Sequence, residues 1–227
     1  MIFNDITVSS LILFFAVYAC MGWVIEVIYR SVSQRQLINA GFLFGPFIPI
    51  YGFGAVFIIL LEFLIHPWPL PVKIAFYGII LTGIEYFTSY IMEKAFKLKL
   101  WDYSNNKFHI HGRVCLLFSI FWTAMALGFI TFLHPVVSRF VASLDAALMN
   151  MLAAVFLAYS IMDFVFSVIS LTSFRRKIAY LYSEYFNLSN SEIEKIFDSF
   201  KRLRTAFPNL SRYIENNINA EIKNKIS

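Results

Sequence analysis

Residues 6–25 form an unbroken run without a single charged side chain. A helix crosses the hydrocarbon of a bilayer with about 20 mainly apolar residues, so this run alone points to a membrane. Residues 41–61 and 114–133 are equally free of charge. Composition supports the same reading. Hydrophobic residues make up 59% of the 227 and charged residues only 15%, against about 25% charged in a soluble domain. A water-soluble domain of this length has too little interior for that much apolar surface. Disordered, collagen-like and disulfide-stapled classes are excluded on the same grounds.

The fold class that follows is all-α: a polytopic membrane helix bundle of about five spans with a cytoplasmic helical tail. The spans are expected near 8–29, within 41–65, and near 72–92, 114–133 and 148–170. The second is irregular. It reads GFLFGPFIPIYGFGAVFIILL, and Pro46, Pro49, Gly45, Gly52 and Gly54 disfavour one straight helix. A broken or re-entrant segment is expected there, followed by a helix to about Ile65. The sequence HPWPLP (66–71) then turns the chain. Residues 1–174 make the transmembrane domain and 175–227 the tail.

Basic residues set the orientation. Arg30 and Arg35 lie in the first connection, Lys73 in the second, and Lys94, Lys97, Lys99, Lys107 and Arg113 in the third. Arg139 lies in the fourth, and the tail carries the rest, starting at Arg175. The positive-inside rule then puts the N-terminus outside and the tail in the cytoplasm. The first run reads as a retained anchor, because residues 1–5 carry no positive charge. Cys20 and Cys115 both fall in or beside spans and read as buried thiols.

The tail holds two amphipathic patterns. Ile193, Ile196, Phe197, Phe200 and Leu203 recur three or four apart, behind Ser189 and Glu192 as a capping box. Leu210, Tyr213, Ile214, Ile218 and Ile222 form the second. A basic helical hairpin on the anionic leaflet is expected, with partner or self-association through the apolar stripes as the alternative. Nucleic acid is not an expected partner, because no binding motif appears.

Charge within spans needs a reason, since insertion costs a few kcal/mol per group. Glu26 precedes Arg30 by one turn, the favourable order for a local ion pair. Thr82, Glu85, Ser89 and Glu93 share one helical face, within about 80° at about 100° per residue. Glu85 is the deep carboxyl of that stripe. A carboxyl so placed is either paired with a neighbouring span or positioned to take up and release a proton. Ser160, Asp163, Ser167 and Ser170 form a similar stripe, suited to bonding between helices. Glu62 reads as interfacial.

The third connection is dense in polar and aromatic groups: Trp101, Asp102, Tyr103, Ser104, then His109, His111, Gly112 and Arg113. An extended HIH places both imidazoles on one side. No third and fourth ligand follow at a recognisable spacing, so neither a metal nor a cofactor is assigned. Arg113, just ahead of a span, is a candidate for holding an anion. The candidate ligand-binding or coupling residues are Glu26, Tyr51, Glu85, Glu93, Asp102, His111, Arg113 and Asp163; no catalytic residue is assigned. The Walker A pattern, G-x-S-x-G and H-E-x-x-H are all absent.

Several blocks together resemble a known family. GWVIEVIYR (22–30), NAGFLFGPFIPIYGFG (39–54), EYFTSYIMEKAF (85–96), LWDYS (100–104) and HIHGRVCL (109–116) occur in this order. They are similar to the Putative ABC-transporter type IV permease family of bacteria, over roughly residues 11–133. The resemblance implies a permease-like component of a transport system in the bacterial plasma membrane. It would work beside an ATPase subunit or as a homo-oligomer, since five spans make a thin pathway. Two other readings stay open. One is a membrane-embedded enzyme acting on a lipid-linked or amphiphilic substrate, with Glu85 and Asp102 as acid and base. The other is a non-catalytic assembly partner.

Overall fold

The computed structural model describes residues 6–96 and 99–183. Helix α1 spans Val8–Gln34. Thr7 caps it: the Thr7 hydroxyl accepts from the Ser10 amide at 3.1 Å, and the Ser10 hydroxyl accepts from the Thr7 amide at 2.9 Å. Arg35, at φ 51°, ends it in the left-handed region.

Helix α2 spans Pro49–Ile65 and starts with proline at its first turn, where the missing N–H costs nothing. At about 1.5 Å per residue its 17 residues reach about 26 Å, short of a full crossing. The lead-in of residues 39–48 is irregular. The expected broken second segment, continuing as a helix to Ile65, is therefore present.

Helix α3 spans Leu70–Phe96. Strands β1 (His109–Ile110) and β2 (Val114–Cys115) form a small antiparallel hairpin. Its turn has positive φ at both His111 (53°) and Gly112 (67°), the signature of a primed turn. This corrects the extended HIH: the chain reverses at His111. Strand β2 runs directly into α4, Leu116–Gly128.

A five-residue π segment, Phe129–Leu133, joins α4 to α5, His134–Ala142. The fourth span was expected to stop at Leu133, before His-Pro. It continues instead to Ala142. Pro135 has no N–H and its ring crowds the carbonyl four residues back, at Thr131. A π turn absorbs both problems, and the His134 amide donates to the Phe129 carbonyl. Helix α6 spans Ala146–Ser183 without a break. The two tail helices expected beyond it lie outside the described residues.

Among the described residues, four helical units are long and apolar enough to cross a membrane: α1, α3, the α4–π–α5 unit and residues 146–173 of α6. Helix α1 packs on α2 and α6, α2 on α3, α3 on α4, and α5 returns to α1. The central core gathers Phe14, Tyr18, Ala55, Ile59, Val141 and Ala153. Tyr18 donates to or accepts from His134 Nδ1 at 2.9 Å, so the buried imidazole of α5 is tied to α1.

Candidate functional site

The lead-in to α2 is where the backbone leaves regular structure inside the bundle. Such backbone survives at membrane depth only when protein or water satisfies its polar groups. Here protein does. The Phe44 and Gly45 amides donate to the two carboxylate oxygens of Asp163, at 3.0 and 2.8 Å. The Ile48 amide donates to the Ala19 carbonyl of α1 at 3.0 Å. Trp23 donates to Asn39 at 2.7 Å, and Asn39 in turn donates to the Phe44 carbonyl. Asp163 thus joins the fifth expected span to the second.

Beyond the lead-in, Tyr51 opens α2 and donates to Glu26 Oε1 at 3.0 Å. The other Glu26 oxygen accepts from Arg30 at 3.0 Å, the pair expected from their spacing. Tyr51 comes this close to α1 because Gly22 has no side chain. A Cβ there would lie 2.5 Å from Tyr51 Cδ2 and 2.6 Å from its Cβ. The Tyr51 ring meets Trp122 of α4 edge-on, 6.0 Å between centroids.

Trp122 leads to Glu85, which is only 5% exposed on α3. Its Oε1 accepts from Trp122 Nε1 at 3.3 Å and from the Tyr103 hydroxyl at 3.0 Å. Both donors are neutral. Among the described residues Glu85 Oε2 is buried with no hydrogen-bond partner, and so is the Ser89 hydroxyl one turn on. Tyr103 is stacked on Phe118 at 4.7 Å. Burial, together with the Glu85 carboxylate beside it, pushes the Tyr103 phenol well above its usual range. It stays protonated and remains a donor.

Asp102 holds the loop that delivers Tyr103. Its carboxylate accepts from the Ser104 amide at 3.0 Å and hydroxyl at 2.6 Å, and pairs with Lys99 at 2.8 Å. Burial opposes ionisation, but Lys99 and Ser104 outweigh it and hold the carboxyl at about 2. The loop closes on the hairpin through the Tyr103 amide, which donates to the Gly112 carbonyl at 2.8 Å. Gly112 fits because a Cβ would fall 2.5 Å from Ser104 Oγ and 2.8 Å from Asp102 Oδ1.

A second cluster lies on the same side. Arg113 donates to Glu93 Oε2 from Nε at 3.2 Å and Nη2 at 2.7 Å. The Glu93 carboxylate raises the guanidinium above its ordinary range. Arg113 also sits over the rings of Tyr86 and Tyr90, at 5.4 and 5.5 Å. Tyr86 Oη lies 3.2 Å from His111 Nδ1 and 3.4 Å from Arg113 Nη1.

The eight candidate residues therefore separate. Glu26, Tyr51 and Glu85 join through Trp122. Glu93, His111 and Arg113 join through Tyr86. Asp102 braces the loop between them, and Asp163 stands apart on the lead-in. Sequence reasoning missed Trp122 as the donor to Glu85; an indole N–H within a span requires an acceptor, and that was the available signal. It also placed Glu62 at an interface. Within the protein Glu62 is 5% exposed and bonded to Lys73 at 2.7 Å, His66 at 2.9 Å and Tyr77. Among the described residues no three His, Cys, Asp or Glu side chains gather as a metal ligand set.

Comparison with curated proteins and with solved structures gave no match. A family model did match, over residues 13–168, and its span takes in most of α1, the lead-in, Glu85, the hairpin and Asp163. Four membrane-length helices and this match over more than half the chain agree on a transport-related membrane protein, and the chain belongs to the family described as Putative ABC-transporter type IV.

Proposed function

We propose that this chain is the permease-like membrane component of a transport system, with its working polar site around Glu85 on the cytoplasmic side. One observation carries the reading: Glu85 is buried on α3 with one oxygen bonded to the loop and to α4, and the other left without a partner among the described residues. A buried carboxylate oxygen without a partner is costly and rare in a settled core. A carboxyl held that way is available to a proton or to a passing solute, while Tyr103 and Trp122 keep its other oxygen in place.

The family supports the transport context. The absence of a Walker A motif from the sequence supports an ATPase supplied by another chain, and a homo-oligomer is the alternative way to complete a pathway. The alternation of basic residues supports an N-terminus outside and a C-terminus in the cytoplasm of a bacterial plasma membrane. The acid–base enzyme reading finds less support, because Asp102 is turned to Lys99 and Ser104 as a loop brace.

The test has two arms. The tagged protein is purified from native membranes in mild detergent and its partners identified; an ATPase subunit is expected. Growth complementation is then measured for Glu85→Gln. Loss of growth with normal membrane accumulation supports the site. Full complementation by Glu85→Gln overturns it.

A further inference from the structure

Helices α3 and α4 do not close against each other along their whole length. They approach at Gly78, where a Cβ would lie 2.9 Å from Thr123 Oγ1. Beside that contact a groove of about 830 Å³ runs along both helices. Its walls include Ala75, Ile79 and Gly83 from α3 and Ile120 and Ala124 from α4. Ile79 and Ile120 are 67% and 60% exposed, so the groove opens sideways from the bundle. At Gly83 a Cβ would meet nothing among the described residues within 4 Å.

Three features say what fills it. The first is length. From Ile74 to Tyr86, at about 1.5 Å per residue, the groove runs about 18 Å. The hydrocarbon core is about 30 Å thick, so this is close to one leaflet. The second is polarity. One end, at Ile74, Ala75 and Leu127, is lined by apolar side chains. The other end meets Tyr86, whose hydroxyl contacts His111 and Arg113. The third is charge. Residues 93–113 carry five basic side chains against Glu93 and Asp102, and His111 and Lys107 are exposed there. Basic groups at a membrane surface attract anionic headgroups.

We propose that this groove binds one acyl chain of an anionic phospholipid, with the phosphate held at His111 and the basic segment around it. Arg113 is already paired with Glu93, so its part is to hold Tyr86 and the turn in place. The site is separate from Glu85 and does not depend on the transport reading.

The experiment uses the full chain in mild detergent, stripped of lipid and titrated in native mass spectrometry. The probes are phosphatidylglycerol and phosphatidylcholine with identical acyl chains. One phosphatidylglycerol per chain is expected, held about tenfold more tightly than phosphatidylcholine. Gly83→Leu puts a side chain into the groove and displaces several methylenes, so retention of both lipids should fall about tenfold or more with melting unchanged. His111→Ala should remove most of the preference for phosphatidylglycerol and leave phosphatidylcholine binding alone. Ala154→Leu, on the exposed face of α6, should change nothing. A photoreactive acyl chain on the wild-type protein should label Ile79 and Ile120 ahead of Ala154, a readout that does not depend on any variant folding. Equal affinity for the two lipids, uniform labelling, or retention untouched by Gly83→Leu would each overturn the proposal. So would a dimer that Gly83→Leu dissociates in the absence of lipid, which would make the groove a contact between copies.

Discussion

Asp163 on α6 accepts a hydrogen bond from the Gly45 amide, 118 positions earlier in the chain, at 2.8 Å. With its other oxygen on the Phe44 amide at 3.0 Å, it stands in for the helical carbonyls that this stretch of backbone lacks. Removing it takes the carboxylate acceptor away from two amides beside an apolar core. Asp163→Ala should therefore lose roughly 2–4 kcal/mol, read as an earlier melting transition in detergent. Asp163→Asn keeps one oxygen and should lose less. Equal melting of Asp163→Ala and wild type would show that water replaces the carboxylate.

Gly22 and Tyr51 give a packing prediction. The Tyr51 ring occupies the space a Cβ would need, and an overpacked core loses about 1–3 kcal/mol. Gly22→Ala should displace Tyr51 and take it away from Glu26. Tyr51→Phe removes the same hydrogen bond without overpacking. Melting of the two single variants and the double variant separates the terms: Gly22→Ala should cost more.

Glu85 and Glu93 divide by depth on one helix. Glu85→Gln keeps shape and can still accept from Tyr103 and Trp122, so near-normal expression and melting are expected with lost growth complementation. Glu93→Gln weakens the contact with Arg113 at a half-exposed position and should impair growth much less. Failure of Glu85→Gln to accumulate in the membrane would make the carboxyl structural.

Asp102 carries the pH dependence outside the spans. Its folded value, about 2, lies below the ordinary 3.8. Its contribution to loop stability is thus fully present above pH 3.8 and is lost as the pH falls through about 2. Asp102→Asn removes it at every pH. Hydrogen exchange of the Tyr103 and Ser104 amides should therefore differ between wild type and Asp102→Asn at pH 6, and converge as the pH approaches 2. The side chain is 44% exposed, so the effect should stay local to the loop.

The orientation can be checked with reporter fusions at Asn4, Asn106 and Asn219. Asn106 and Asn219 should report cytoplasmic and Asn4 external. A cytoplasmic signal at Asn4 would refute an odd number of crossings.

The spans were legible because membrane solvation is read residue by residue: an uncharged run needs no partner to declare itself. The face carrying Glu85 and Ser89 was legible for the same reason, as a period along one helix. What closes on that face was not. Trp122 and Tyr103 reach Glu85 from elements 37 and 18 positions away, and nothing in local spacing fixes such a pairing. Glu62 shows the same limit, since its burial depends on Lys73 and Tyr77 folding back from α3. The end of the fourth span was misplaced for a different reason. Proline ordinarily ends a helix, and sequence alone gives no sign that a π turn will carry the chain past it.

That π turn changes which way the span faces. Each residue advances a helix by about 100°, so one extra residue between Phe129 and Leu133 rotates everything after it relative to everything before. The span is in effect two half-helices out of phase: α4 faces α3, while α5 brings His134 round to Tyr18 on α1. Deleting one residue from 129–133 would restore a single phase. It would leave the span long enough to cross the bilayer but swing His134 away from Tyr18, so the two halves of the bundle could no longer be satisfied by one helix.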